Sequence, residues 1–196
     1  MAASTALMAV GFTGCSIKDS PALTAFGGAS AAAPSTTHST PRAPAADFSG
    51  LLIRPGDLSN SEDSYTAQPP TANPQGMNGV TDLFTNHDDT RAIGDTILVF
   101  PDPAAAAAAL DQAVSSVVKS VSGDGAQPSA VGTGGTVVSG YSPDGSKAVT
   151  VLMFGQGRAL VRLEFDSAPG DPTSSQLVTD VAQKQDIAVR TGLSSP

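Results

Sequence analysis

The stretch KAVTVLMFGQGRALVRLEF, residues 147–165, decides the fold because it contains two predicted strands joined by a short turn. Both alternating faces of Lys147–Phe154 are apolar, which predicts a strand buried on both sides of its sheet. Arg158–Phe165 has one apolar face, and its other face carries Arg162 and Glu164, so we expect that second face to be partly exposed to water. The glycine-bearing turn between them favours an antiparallel hairpin.

The flanking segments extend this hairpin into an antiparallel sheet packed with helices. Gly135–Tyr141 precedes it across the turn Pro143-Asp144-Gly145, and two further strands are predicted upstream, at Val80–Thr85 and Ile93–Phe100. Helices are predicted after two Asp-Pro start signals, Asp102-Pro103 and Asp171-Pro172, and they are expected to end at Gly123 and Gly192. The fold class is therefore α+β, with about five strands and two helices in the order β-β-α-β-β-β-α. Residues 60–78, which include three prolines, are predicted to form a long loop.

Composition and charge exclude several classes of protein. The chain has 196 residues with 10 Lys and Arg against 18 Asp and Glu, so its formal charge is −8. A net acidic chain with scattered basic residues makes a poor nucleic-acid binder. Its single cysteine can form neither an internal disulfide nor a structural zinc site. No apolar run approaches the roughly 20 residues that a membrane-spanning helix needs.

The N-terminal residues have the pattern of an export signal. Residues 1–14, MAASTALMAVGFTG, are small and apolar, as in the hydrophobic part of a secretory signal peptide. A basic segment is missing before them, so we expect the true start codon to lie upstream of Met1. The following Phe12-Thr13-Gly14-Cys15 resembles a bacterial lipobox, where lipoprotein signal peptidase cuts before a cysteine that carries diacylglycerol. Cys15 is therefore the predicted lipidation site, and two or three acyl chains would anchor the protein stably to a membrane.

Residues 15–47 are predicted to be a disordered tether, and residues 48–196 a single α+β domain. The tether is rich in Ala, Pro, Ser and Thr and has few large apolar side chains, so it cannot offset the entropy lost on ordering. Its composition suits either an O-glycosylated stalk or an unmodified linker. Charges before Phe48 cancel, so the domain carries the whole net charge of −8.

The sequence contains no clear catalytic or metal-binding signature. His87-Asp88-Asp89, with Asp63 and Asp95 as further candidates, supplies potential metal ligands, but adjacent residues at a hairpin tip usually point apart, which favours a solvated turn. No Gly-x-Ser-x-Gly nucleophile elbow accompanies His87. Gly132-Thr133-Gly134-Gly135 lacks the Lys-Ser/Thr of a phosphate-binding loop and is better explained as a flexible entry to a strand. We predict no catalytic, metal-binding or cofactor-binding residues.

The combination of lipobox, tether and α+β domain resembles actinobacterial, especially mycobacterial, cell-envelope lipoproteins. The domain is also similar to the extracellular sensor domains of mycobacterial receptor kinases in three segments: Leu51–Leu58, Ile97–Ala113 and Ala159–Gly192. Those sensors carry disulfides, whereas this domain has no cysteine. We expect a non-catalytic protein of the cell envelope, anchored outside the cytoplasm through Cys15 and binding an envelope ligand or protein partner. The alternatives are a small envelope hydrolase that uses His87 or an acidic pair, and a lipid carrier.

Overall fold

The computed structural model describes residues 46–59 and 63–194. The predicted signal peptide, Cys15 and almost all of the predicted tether lie outside these ranges. Within these ranges the structure has three α-helices and eight strands: α1 (Pro55–Leu58), β1 (Tyr65–Ala67), β2 (Thr71–Ala72), β3 (Gly79–Asn86), β4 (Ala92–Val99), α2 (Pro103–Ser120), β5 (Ser122–Pro128), β6 (Thr133–Tyr141), β7 (Ala148–Gln156), β8 (Ala159–Ser167) and α3 (Ser175–Ser194). Short 3₁₀ helices lie at Ser49–Leu51 and Pro74–Gly76.

All eight strands belong to one antiparallel sheet. Its order is β1-β3-β4-β8-β7-β6-β5, and β2 also pairs with β3. The predicted meander β6-β7-β8 is present, and β8 is joined to the β3–β4 hairpin through pairing with β4. The α+β class with helices on an antiparallel sheet is confirmed, although the sheet has eight strands where about five were predicted.

The two long helices cover opposite faces of the sheet. Leu152 and Phe154 of β7 pack in the cluster that contains α3, whereas Val149, Val151 and Met153 pack in the cluster that contains α2. Because successive strand residues point to opposite faces, β7 is buried on both sides, as predicted.

The segment before β1 forms a strap across the face that α3 covers. This N-terminal strap, residues 48–58, places Leu51, Leu52, Ile53 and Leu58 in the α3-side core. The side-chain amide of Gln185 in α3 accepts a hydrogen bond from the Ile53 N–H at 3.1 Å and donates one to the Leu51 carbonyl at 2.7 Å. The strap therefore belongs to the folded domain and is held by both apolar and polar contacts.

Three strands were missed because their formation depends on pairing with another strand. Residues 60–78 were predicted to be one long loop, but β1 and β2 pair with β3 inside that region. Strand β5, SGDGAQP, has no apolar alternation and forms by pairing with β6. Gly123 was predicted to end α2, but the helix ends at Ser120 and Gly123 lies in β5, where an added Cβ would overlap the backbone of β6.

Two predictions for α3 also need correction. The helix begins at Ser175, whereas Asp171-Pro172 was predicted to start it. Ser174 acts near this end instead, since its Oγ accepts a hydrogen bond from the Leu177 N–H at 3.3 Å. Gly192 was predicted to stop the helix, but it lies inside α3 and faces Leu51 of the strap so closely that a Cβ would overlap that side chain. Gly192 therefore allows close packing.

The polar face of β8 is covered, although partial exposure was expected. Arg162 and Glu164 are each 6 % exposed and form an ion pair with one another. Burial raises the pKa of Glu164, and the Arg162 guanidinium opposes that rise. Periodicity identified which residues share the face, but it could not show that other side chains cover them.

Candidate functional site

A groove of about 380 Å³ lies between α3 and the β6–β7 part of the sheet. We call it the α3 groove. Its lining comes from the turn between β5 and β6, from the α3-side faces of β6 and β7, and from the first turns of α3 with the residue Thr173 before it. The lining residues are Pro128, Ser129, Ala130, Val131, Val137, Ser139, Thr150, Leu152, Thr173, Ser175, Val178, Thr179 and Gln183.

The groove has an apolar base and a neutral polar surround. Val131, Leu152 and Val178 are buried and belong to the α3-side core, so the base is continuous with that core. Hydroxyl or amide side chains occur at seven lining positions, and none of the lining residues carries an ionisable side chain. In a chain with a net charge of −8, this surface is therefore locally neutral.

Strand register places two hydroxyls side by side in the groove. Ser139 of β6 is directly opposite Thr150 of β7. The Thr150 hydroxyl donates to the Ser139 hydroxyl at 3.2 Å, and Thr150 is only 7 % exposed. Because each hydroxyl can both donate and accept, the pair can bond a ligand group of either type.

The glycine-rich stretch 132–135 shapes one wall of the groove. Gly132 has a φ of +61°, which favours glycine, and an added Cβ there would overlap Phe154. The Ser129 N–H donates to the Gly135 carbonyl at 2.8 Å, which closes the turn. This stretch does lead into strand β6, as predicted, and its glycines allow the turn to pack tightly against β7.

The predicted candidates around His87 do not form a site. His87, Asp88 and Asp89 are all exposed at the tip of the β3–β4 hairpin. No hydrogen bond or ion pair of the His87 side chain occurs within the described ranges. Asp95 is fully buried in β4, away from this tip. The solvated-turn interpretation therefore accounts for His87, Asp88 and Asp89.

Asn86 organises the same hairpin tip. Its side-chain oxygen accepts hydrogen bonds from the Thr90 and Arg91 N–H groups, both at 2.9 Å. Its amide nitrogen donates to Asp63 at 3.0 Å and to the Thr90 hydroxyl at 2.9 Å. Asp63 and the hairpin are thus connected through Asn86, a residue that the sequence pattern did not single out.

A second, smaller pocket of about 250 Å³ lies beside this tip and contains charged groups. Asp89 and Thr90 line one side, and Lys147 and Asp166 line another. The Lys147 ammonium donates to Asp166 at 3.0 Å, so the charges at this pocket partly satisfy one another. The larger α3 groove differs because it offers hydroxyls without any opposing charge.

Two buried aspartates form the most unusual polar feature of the α3-side face. Asp82 and Asp95 are directly opposite one another on β3 and β4. Burial raises the pKa of Asp95 well above its usual range, and the Asp82 carboxylate raises it further. Neither carboxyl oxygen of Asp95 has a hydrogen-bond partner in the described part of the chain. This pair is enclosed beneath the strap and has no role in the groove.

Residues 46–59 and 63–194 contain neither a cluster of metal ligands nor a membrane-spanning helix. No group of three or more His, Cys, Asp and Glu side chains converges there as metal ligands would. None of the helices in these ranges is long and apolar enough to cross a bilayer. The predicted lipidation site, Cys15, lies outside these residues.

Comparisons with known proteins found structural likeness but no sequence relative. No family model and no curated protein matches the sequence. Among solved structures, the extracellular domain of PknH from Mycobacterium tuberculosis is similar, with a TM-score of 0.49 and 8 % sequence identity. The match covers 76 % of this chain and 95 % of that domain.

Proposed function

We propose that this chain is an exported, non-catalytic protein, anchored to the outer side of a cell membrane through lipidated Cys15, which binds a small uncharged envelope ligand in the α3 groove. The single observation that carries the binding proposal is the groove itself, about 380 Å³ with an apolar base and hydroxyls around it. Small-molecule sites commonly have this size and this mixture of apolar surface with a few polar groups.

The hydrolase alternative has weaker support from the charged groups elsewhere in the domain than the binding function has from the groove. His87 is exposed at a hairpin tip, and no residue among 46–59 and 63–194 partners it as a general base would require. Asp95 is fully buried, so a substrate cannot reach both carboxyl groups of the Asp82–Asp95 pair. The lipid-carrier alternative would favour a wholly apolar cavity, whereas seven of the thirteen lining residues carry hydroxyl or amide side chains.

The anchoring part of the proposal is tested in the producing bacterium. The native chain and Cys15→Ala are expressed there, and each is separated between detergent and aqueous phases. We expect the native chain in the detergent phase with the mass of a diacylglyceryl adduct, and Cys15→Ala in the aqueous phase. Ser16→Ala serves as the matched control and should behave as the native chain does. Identical partitioning of native and Cys15→Ala chains would exclude anchoring through this residue.

The binding part is tested with 2-propanol, a probe that has an apolar body and one hydroxyl. Backbone amide NMR spectra of the domain should show saturable shifts at the groove residues Ser139, Thr150 and Val178. These shifts should occur at lower 2-propanol concentrations than any shifts at the charged pocket. Ser139→Trp, which fills the groove from an exposed strand position, should remove these shifts. Shifts spread evenly over the surface, or unchanged in Ser139→Trp, would contradict a binding groove.

A further inference from the structure

We infer that the α3 groove is selective for uncharged carbohydrate, a mono- or disaccharide unit of neutral pyranose rings, an inference that rests on the proposed binding function. No ionisable side chain lines the groove. A charged ligand group would lose hydration on entering and gain no opposite charge in return, which costs free energy. Because the groove supplies no opposite charge, we expect it to bind uronic acids, amino sugars, phosphates and ammonium ligands more weakly than neutral sugars.

The polar groups match the chemistry of sugar hydroxyls. A sugar hydroxyl both donates and accepts, and so do the serine and threonine hydroxyls around the groove. Thr150 already donates to Ser139, so the Ser139 hydroxyl has its own proton available for a ligand oxygen. Gln183 at the opposite side adds an amide, which supplies both donors and an acceptor.

The apolar base matches the other surface of a pyranose ring. Val131, Leu152 and Val178 form an apolar floor that is itself buried. Val137, which is half-buried, presents aliphatic surface to the groove, and the C–H face of a sugar can pack against it. Burying that face contributes in proportion to the apolar area removed from water. The groove thus has an apolar surface and a separate hydroxyl-bearing surface, just as a pyranose ring has a C–H face and hydroxyl groups.

Rigid walls favour a small, defined ligand. The β5–β6 turn is closed by the Ser129–Gly135 backbone hydrogen bond and packed through Gly132 against Phe154. The Ser129 hydroxyl accepts from the Val131 N–H at 3.3 Å, which fixes the position of Val131. Less ordering is then needed on binding, which favours affinity for a weakly binding sugar.

The test is titration calorimetry of the domain, residues 47–196, with matched disaccharides. Maltose and trehalose are the uncharged probes, and a diglucuronide and a diglucosamine of similar size are the charged ones. At least one uncharged disaccharide should bind at least 10-fold more tightly than either charged probe. Vesicles of phosphatidylcholine with and without digalactosyl diacylglycerol form a second arm, which separates a free sugar from a glycolipid headgroup.

Thr150→Val tests the hydroxyl pair with little change in shape. Its affinity for the uncharged disaccharide should fall about 3- to 10-fold, as expected for loss of one hydrogen-bonding hydroxyl. Thr85→Val makes the same chemical change on β3, outside the groove, and should leave affinity unchanged. Ser139→Asp should weaken binding of the uncharged disaccharide at least 10-fold.

Two outcomes would overturn the inference. One is equal or tighter binding of a charged disaccharide, and the other is the absence of saccharide binding in both arms. If 2-propanol still occupies the groove in that second case, the carbohydrate inference fails and the binding function remains. If 2-propanol also avoids the groove, both fail.

Discussion

The burial of Asp95 is expected to lower the free energy of unfolding of the domain. Its pKa is raised in the folded state by burial and by Asp82, so its ionised form is disfavoured there. Below the unfolded pKa of about 3.9, Asp95 is protonated in both states, and its burial then costs the least free energy. As pH rises from there through the raised folded pKa, the free energy of unfolding falls.

Asp95→Asn should therefore stabilise the domain at pH 8. The substitution keeps the shape and removes the titrating group, so the free energy of unfolding should rise by at least about 1 kcal/mol, the scale of one pKa unit. Urea denaturation at pH 4, 6 and 8 should show the gain growing with pH. Asp88→Asn, at an exposed position, is the control and should show no such growth. Parallel curves for Asp95→Asn and the native domain would contradict the prediction.

Gln185 should be the polar side chain that contributes most to holding the strap. It is fully buried, and its amide satisfies the Ile53 N–H and the Leu51 carbonyl together. Gln185→Met leaves both backbone groups unsatisfied, at about 1–3 kcal/mol each, so a loss of about 2–6 kcal/mol is expected in urea denaturation. Gln183→Met, an exposed position on the same helix, should change stability by less than about 0.5 kcal/mol. Unchanged hydrogen exchange at the Ile53 amide in Gln185→Met would exclude this role.

Neither residue could be identified from the sequence, for a physical reason. A glutamine within an amphipathic helix suggests the solvent face, and its partners here lie 132 and 134 positions away. Asp95 was considered only as a possible neighbour of His87. Its burial follows from the strap above it and the register with Asp82, and neither is visible in local periodicity.

Among the elements, α2 was the most predictable because its start signal is local. Asp102 accepts a hydrogen bond from the Ala105 N–H at 2.8 Å, and Pro103 occupies the first helical position, as expected. Asp102→Ala should lower the free energy of unfolding by about 1 kcal/mol in urea denaturation. Asp111→Ala, exposed in the middle of the same helix, provides the matched control and should have little effect. Equal losses in the two variants would argue against a specific cap.

The elements that escaped sequence analysis share one property. Strands β1, β2 and β5 lie at the ends of the sheet and carry few apolar residues, so their conformation comes from hydrogen bonds to β3 or β6. The central strands carry their own apolar pattern and were located to within one or two residues. The groove was not predicted either, since its lining comes from α3, two strands and a turn that only the fold brings together.

At the scale of the molecule, the strap marks where the folded domain begins. A chain that starts at Asp47 should unfold as cooperatively as the full chain, because it keeps every described core residue. A chain that starts at Ser59 loses Leu51, Leu52, Ile53 and Leu58 from the core, and burying each such side chain contributes about 1.5–3 kcal/mol. We expect thermal unfolding monitored by circular dichroism to be broad or absent in this shorter chain. A sharp transition at the native temperature would show that the strap is dispensable.

Helix α3 is shared between the strap and the groove, and this arrangement has a mechanical consequence. On one side of the helix, Gln185 forms hydrogen bonds with the backbone of Leu51 and Ile53. On another side, Val178, Thr179 and Gln183 form a wall of the groove. A pulling force applied to the chain ahead of Asp47 would load the strap first and reach the groove wall through this helix. Tension on the N-terminal end and binding of a ligand in the groove would then both act on helix α3.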